Sequence, residues 1–353
     1  MKIALLNLPI DANYGGNLQR YALITILQRL GHEVEHIQLY NNYRYSFFKS
    51  CLVFLKRLLL KIAGKHTYPF FYEMNNEKKY YEGLNKTLQF YNKFIPHTKK
   101  KFYSKKDFLY YDWSKYDAFV VGSDQVWRPN MTKQIGLENY FFKFIENIDK
   151  PIIAYGVSFG KEDEILPQNI ELKELYNKFS AVSVREDSGL DILAKAGMNN
   201  PRPVQVLDPT MLLTAEDYKA IMEDNKGINK SYMFCYILDM DDEKCDIITK
   251  KAEELGIDSI IVGLDNSKDV SIGQWLNYIY NAENVITDSY HGYVFSVNFG
   301  KKVQFLGNKR RGNSRIESIN RYLNFSKGNV VNTRIAINEK IKYSNFFLGI
   351  SFK

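Results

Sequence analysis

Residues 1–40 read MKIALLNLPIDANYGGNLQRYALITILQRLGHEVEHIQLY, and this stretch decides the fold. An apolar run over residues 2–9 predicts a buried strand that leads into a Gly-rich turn. Apolar residues then recur at helical spacing over residues 18–30, and Gly31 ends the predicted amphipathic helix. Residues 33–40 predict a second strand. Because a strand–helix–strand unit joins parallel strands by a right-handed crossover, we predict an α/β fold built on parallel sheets.

The rest of the chain repeats this rhythm and predicts a second domain. At 353 residues the chain is too long for one ordinary core. We predict two Rossmann-like domains that face a cleft, over residues 1–213 and 214–353, with a tail that could cross back to the first domain. Residues 41–112 are aromatic and rich in lysine, and they predict a helical insertion in the first domain.

The composition narrows the classes of protein and partner. With 45% hydrophobic and 25% charged residues the chain is a folded protein, and its net charge of +8 favours anionic partners. Cys51, Cys235 and Cys245 lack the spacing of a metal site or a disulfide framework, so we expect no metal and a reducing cytoplasm. The N-terminal strand lacks the features of a signal peptide. The basic residues are dispersed and match no nucleic-acid-binding motif, so we expect no nucleic-acid partner.

A basic amphipathic helix is predicted at residues 47–65, FFKSCLVFLKRLLLKIAGK. Arg57, Lys61 and Lys65 fall together on one face. The other face carries the apolar residues Phe48, Leu52, Leu55, Leu59 and Ile62. The lysines interrupt the apolar stretch, so it cannot span a bilayer. Two interpretations stay open: a helix packed on the sheet with a charged outer face, which is the commoner arrangement, or peripheral docking on the inner face of the cell membrane.

The segment TDSYHG, residues 287–292, carries the strongest candidate for chemistry. His291 follows an apolar strand and opens a predicted helix, with Asp288 and Ser289 beside it. A histidine placed in this way can act as a general acid or base near neutral pH. The alternative is a histidine whose ring caps the helix.

Arginines supply the candidate anion sites. Arg185 follows a predicted strand in SVRED, where its guanidinium could bind a carboxylate or phosphate, or could form a structural ion pair with Glu186, Asp187 or Asp208. The segment GNKRRGNSRIE is typical of an anion-binding loop, although a merely exposed basic loop has the same composition. Its candidate cations are Arg310, Arg311 and Arg315.

Polar residues at three further strand ends are candidates for binding a sugar or lining the cleft. The first group is a Gly-rich turn that opens a helix, which alone is weak evidence for phosphate binding. In the second group, GSDQVW, Trp127 could offer a flat face to a sugar or could be a core residue that follows a turn. The candidates are Asn13, Tyr14, Gly15, Gly16, Asn17, Ser123, Asp124, Gln125, Trp127 and Ser158.

Taken in order, NYGGNLQRYAL, GSDQVW, YGVSFG, SVRED, LDPT and TDSYHG resemble the polysaccharide pyruvyl transferase family. The resemblance covers nearly the whole chain and is weakest over residues 40–113. It implies a glycosyltransferase-B-like fold and transfer of a pyruvyl group from phosphoenolpyruvate to two hydroxyls of a sugar, giving a ketal and free phosphate. By resemblance His291 is the acid and Arg185 holds the donor, with the acceptor on the first domain, the donor on the second, and no cofactor.

One position departs from the family pattern. Many members carry an arginine two residues before the histidine, where this chain has Ser289. Arg310, Arg311 and Arg315 could replace that charge. The acceptor would be a surface polysaccharide, such as an exopolysaccharide or capsule, or its lipid-linked precursor. Two alternatives stay open: a glycosyltransferase that uses a nucleotide sugar, and a non-catalytic member of a polysaccharide-synthesis complex.

Overall fold

Two parallel sheets form the scaffold of the molecule. The computed structural model describes residues 1–42, 47–69, 72–145, 149–224, 230–263, 270–308, 313–323 and 330–352. The first sheet has the strand order β2-β1-β3-β4-β5-β6 and the second has the order β10-β9-β7-β8. The strands are β1 (Lys2–Leu6), β2 (Glu33–His36), β3 (Ala118–Val121), β4 (Ile152–Val157), β5 (Ala181–Val184), β6 (Val204–Gln205), β7 (Tyr232–Ile237), β8 (Asp258–Gly263), β9 (Asn284–Thr287) and β10 (Lys302–Phe305).

Helices follow most strands, as the α/β rhythm predicts. Every strand pair in both sheets is parallel, which confirms the predicted fold class of two Rossmann-like domains. The helices are α1 (Tyr14–Arg29), α2 (Phe47–Ile62), α3 (Tyr72–Gly83), α4 (Asn85–Phe94), α5 (Lys105–Leu109), α6 (Ile170–Tyr176), α7 (Ser188–Lys195), α8 (Ala215–Lys219), α9 (Asp242–Leu255), α10 (Ile272–Asn281), α11 (Tyr290–Asn298), α12 (Ser314–Tyr322) and α13 (Val330–Ser351).

The first unit, β1–α1–β2, has the predicted order, but its helix begins earlier than the sequence indicates. The predicted turn includes residues 14–17, whereas α1 already begins at Tyr14. Asn13 is the reason, because its side chain accepts a hydrogen bond from the Gly16 N–H and caps the helix. Most of α1 is buried, including Gln19 and Arg20, so it is not the two-faced helix that the pattern predicts.

The two domains contact each other through the start of α1. The Tyr14 hydroxyl donates a 2.8 Å hydrogen bond to the Val270 carbonyl of the second domain. Its ring packs 5.4 Å from Trp275 and 5.9 Å from Tyr236. Because Trp275 is completely buried, this aromatic cluster joins the cores of the two domains.

The C-terminal helices pack back onto the first domain. The Tyr322 hydroxyl of α12 donates to the Gln205 carbonyl at the end of β6. On α13, Ser344 accepts a hydrogen bond from the Leu207 N–H, and Phe347 lies 6.4 Å from Tyr155. The two sheets are therefore connected twice, by the chain between β6 and β7 and by these helices. The predicted division at residue 213 falls in the first connection.

Helix α2 lies within the predicted helical insertion, but it does not pack as the commoner interpretation expected. Leu52 and Leu55 are each 53% exposed, Leu59 is 67% exposed and Ile62 is 75% exposed. A helix that covers a sheet would bury such side chains, so that interpretation is wrong. No helix within the described ranges is long and apolar enough to cross a membrane.

Candidate active site

A cavity of about 540 Å³ lies between the two domains, beyond the carboxyl ends of their strands. Ligands of parallel α/β sheets bind at this edge. The first domain contributes the start of α1 and the residues after β3, and the second contributes the loop after β9 and the start of α12. The predicted site residues that line the cavity are Asn13, Gly15, Gly16, Asp124, Gln125, Ser289, His291 and Arg315.

His291 lies in the first turn of α11, just after β9. Ser289 caps this helix by accepting a hydrogen bond from the Gly292 N–H, so the imidazole is not the capping group. The His291 side chain is buried and lines the cavity. Its Nε2 makes no hydrogen bond to the described residues and lies 3.7 Å from a carboxylate oxygen of Asp208.

Gly15 lets His291 approach α1 closely. A Cβ atom on residue 15 would overlap the imidazole ring, whereas a Cβ on Gly16 would make ordinary contacts of 3.7–3.8 Å with Asn13 and Asp124. The glycine at position 15 is therefore required by the histidine of the other domain. The amino ends of α1 and α11 meet at this point, which favours a negatively charged ligand between them.

Asp208 is the partner of His291, and the sequence pointed to it only as a possible partner of Arg185. Its Oδ2 lies 3.7 Å from His291 Nε2 and accepts hydrogen bonds from Gln19 at 2.7 Å and Arg185 at 3.0 Å. Burial would raise the pKa of Asp208, but His291 and the charge of Arg185 lower it well below its usual range. The carboxylate therefore stays ionised beside the His291 ring.

Arg185 forms the structural ion pair that the sequence left open. Its side chain is 2% exposed, and its guanidinium bonds Asp208 and stacks 4.6 Å from the centre of the Tyr290 ring. Arg185 does not line the cavity, so it is not placed to contact a donor directly. Arg185 lies behind Tyr290 and holds both that ring and Asp208.

Arg315 is the candidate cation that reaches the cavity. It lies in the first turn of α12 with its guanidinium 5.4 Å from the centre of the same Tyr290 ring. Burial and the nearby charge of Arg185 lower the pKa of Arg315. Two cations close together are stabilised by an anion, so this part of the cavity favours an anionic ligand. Arg310 and Arg311 lie outside the described residues.

Trp127 is not a platform for a sugar. Its ring is fully buried and stacks 4.4 Å from Phe141, and its Nε1 donates to the Tyr140 carbonyl. The segment GSDQVW turns the chain back into the core after β3, so the ring points into the first domain. Trp127 is therefore a core residue that follows a turn, which was the alternative interpretation.

Four further candidates do not line the cavity, and each of their side chains has a structural partner. Ser123 donates to the Gly156 carbonyl and Ser158 donates to Glu186. Asn17 accepts from Arg20, and Tyr14 joins the two domains. Polar strand-end residues thus hold the backbone at the cavity edge as often as they face a ligand.

Asp288 fixes the loop that carries His291. It accepts hydrogen bonds from the Leu238 and Asp239 N–H groups after β7, from Lys244 of α9, and from Asn308 after β10. One carboxylate therefore ties together three neighbouring strand ends of the second sheet. The sequence identified Asp288 only as a polar neighbour of the histidine.

Several cavity residues were missed from the sequence, namely Asp11, Arg20, Asn41, Tyr80, Tyr236 and Tyr290. Asn41 and Tyr80 lie in the region where the resemblance is weakest, so no motif marked them. Asp11 is a polar residue of the turn before α1, so its position in the sequence could have identified it as a candidate. Across the described residues, no group of His, Cys, Asp or Glu is arranged to hold a metal ion.

The architecture defines a class of protein, in which two α/β domains carry a histidine–aspartate pair at the cleft between them. The sequence model of the family described as polysaccharide pyruvyl transferase matches residues 13–310. The chain therefore belongs to the polysaccharide pyruvyl transferase family. No curated protein matches the sequence.

Solved structures with a similar chain path include sugar-nucleotide enzymes. The UDP-GlcNAc 2-epimerase of Methanocaldococcus jannaschii is 12% identical over 97% of this chain and 100% of its own, with a TM-score of 0.45. The UDP-GlcNAc 2-epimerase of Neisseria meningitidis is 9% identical over 99% and 94%, with a TM-score of 0.44. An alpha-glucosyltransferase in complex with UDP is 10% identical over 99% and 95%, with a TM-score of 0.45.

Proposed function

We propose that the protein transfers the pyruvyl group of phosphoenolpyruvate to two hydroxyls of a sugar in a surface polysaccharide or its precursor. The observation that carries the proposal is the pair of His291 and Asp208 at the interdomain cavity, next to Arg315. Membership of the family supports the same reaction. The chemistry needs a proton donor and a site for a multiply charged anion, and the cavity offers both.

The donor lies on the second-domain side in this proposal. Phosphoenolpyruvate carries a carboxylate and a phosphate, and the guanidinium of Arg315 can bind either with two parallel hydrogen bonds. The amino ends of α1 and α11 add positive potential from both sides. Arg185 contributes charge from behind Tyr290. Ser289, in place of the family arginine, caps α11, and Arg315 takes over the role of that missing charge.

In this mechanism a protonated His291 is the acid, and the carboxylate of Asp208 lies beside it. His291 donates its proton to the methylene carbon of phosphoenolpyruvate, and the neighbouring carbon becomes oxocarbenium-like. A sugar hydroxyl attacks that carbon, the bond to the phosphate oxygen breaks, and the second hydroxyl attacks in turn. One hydroxyl proton restores the imidazolium and the other leaves with phosphate, so that the products are a pyruvate ketal and inorganic phosphate.

The acceptor lies on the first-domain side, where polar side chains face the cavity. Asn13, Asp124 and Gln125 offer the hydrogen-bond groups that sugar hydroxyls require. Asn41 and Tyr80 also line this wall. Asp124 and Asp11 are the carboxylates of this wall, so each is a candidate base for the attacking hydroxyl.

Incubation with phosphoenolpyruvate and a panel of glycans tests the proposal. Phosphate release that depends on the glycan, and that is lost in His291→Gln, supports it. Release of a nucleoside diphosphate from a nucleotide sugar, with no reaction of phosphoenolpyruvate, would instead support the glycosyltransferase alternative. A wild type that is inert across the panel with both donors would favour a non-catalytic role.

A further inference from the structure

The exposed face of α2 is an apolar stripe that points away from the protein. At about 100° per residue, Leu52, Leu55, Leu59 and Ile62 fall within a single narrow arc of the helix. Arg57 lies on the opposite side, where it is buried and donates a hydrogen bond to the Pro69 carbonyl. Arg57 therefore marks the side of α2 that faces the protein, and the leucine stripe faces outward.

Lysines lie along one border of this stripe. On the same projection Lys49 and Lys56 fall beside one edge of the stripe, whereas Lys61 falls close to Arg57 and Lys65 lies beyond the end of the helix. No acidic residue occurs between residues 47 and 65. An apolar stripe with cations beside it and no acidic neighbour is the pattern of a helix that lies in the plane of an anionic lipid surface.

We propose that α2 is a peripheral docking surface for an anionic lipid bilayer. The apolar stripe enters the boundary between headgroups and acyl chains, and the flanking lysines contact lipid phosphates. A second copy of this chain is disfavoured as the occupant, because the protein carries a net charge of +8 and the same lysines would face each other. Charge complementarity therefore favours the membrane.

The position of α2 connects this surface to the acceptor side of the cavity. Asn41 and Tyr80 both line the cavity rim, and the Asn41 amide donates a 2.9 Å hydrogen bond to the Tyr80 hydroxyl. The chain leaves the rim at Asn41 and returns to it along α3, and α2 lies between these two points. Phe47 is six residues from Asn41, which limits the separation of their Cα atoms to about 21 Å.

A membrane bound by α2 would therefore lie beside the acceptor end of the cavity. A glycan on a lipid carrier would be held at that surface, so its sugar would reach the site without leaving the membrane. This last step rests on the proposed function, whereas membrane binding itself does not.

Flotation of the full-length protein with vesicles tests the proposal directly. We expect the wild type to float with vesicles that contain phosphatidylglycerol, and to float much less with pure phosphatidylcholine. The variant Leu59→Glu/Ile62→Glu should lose at least about tenfold in vesicle affinity, because two apolar side chains no longer enter the bilayer. The variant Lys49→Gln/Lys56→Gln should lose affinity for the anionic vesicles only.

The matched control is Ile165→Glu/Ile170→Glu. Both isoleucines are 77% exposed, as much as those of α2, and they lie outside the insertion and the cavity. Equal flotation of the α2 variant and this control, or no flotation of the wild type, would overturn the proposal. A dimer in analytical ultracentrifugation that is lost only in the α2 variant would assign the surface to a second copy instead. Phosphate release with a water-soluble acceptor reports on the proposed function separately, and the α2 variant should retain it.

Discussion

Replacement of Gly15 by alanine should lower activity far more than it lowers stability. In an ordinary helix position this change stabilises the fold by about 0.5–1 kcal/mol. At position 15, however, the new Cβ would overlap the His291 imidazole, and the ring must move by a distance of the order of 1 Å. A displacement of that size at a reacting group costs about a hundredfold in rate. We expect a fall of about that size in kcat. The overlap with a buried ring costs about 1–3 kcal/mol, which the gain in helix propensity offsets in part, so the melting temperature should fall only slightly.

Gly16→Ala is the matched control, because it makes the same change in the same helical turn. Its Cβ would meet Asn13 and Asp124 at ordinary van der Waals distances and would not touch His291. Phosphate release and thermal unfolding measured on both variants separate helix propensity from displacement of the histidine. Equal activity of Gly15→Ala and Gly16→Ala would refute the claim that residue 15 must be glycine to make room for the His291 ring.

Three further predictions concern the cavity and the core. Asp208→Asn should reduce activity and destabilise the fold by about 1.5–3 kcal/mol at pH 7, because Arg185 loses one of its carboxylate partners and keeps Glu186 and Asp124. The pKa of Asp208 is lower in the folded than in the unfolded protein, so its ionised carboxylate stabilises the fold above the unfolded pKa and this contribution is lost as the pH falls. In urea unfolding, the stabilities of the wild type and Asp208→Asn should therefore begin to converge below about pH 4. Arg315→Gln should raise the KM for phosphoenolpyruvate about tenfold with little change in kcat; an unchanged KM would remove Arg315 from the donor site. Trp127→Phe should lower stability by about 2 kcal/mol in denaturant unfolding and leave the acceptor KM unchanged, because the ring packs on Phe141 in the core.

The sequence predicted the features that depend on local pattern. The β1–α1–β2 unit followed from the spacing of apolar residues, and the position of His291 followed from its place after an apolar strand. The start of α1 was misjudged because two glycines suggested a turn, whereas the Asn13 cap and the contact with His291 require a helix there.

The features that the sequence did not predict depend on contacts between distant segments. Asp208 meets His291 across the domain boundary, and no spacing along one chain indicates that pairing. Residue type alone did not predict whether Trp127 is buried, because an aromatic ring suits a core and a sugar-binding surface equally. The pattern of α2 identified an apolar face, but it did not indicate whether another segment covers that face. In the described part of the fold, Leu59 and Ile62 are left exposed.

The most direct test of the proposed reaction is mass spectrometry of a glycan incubated with the protein and phosphoenolpyruvate. The proposed mechanism predicts an acceptor that gains pyruvate with loss of water, as a ketal bridging two hydroxyls, and no such product with His291→Gln. An unmodified acceptor across the glycan panel, or a ketal formed equally well by the His291 variant, would contradict the assignment of this residue as the proton donor.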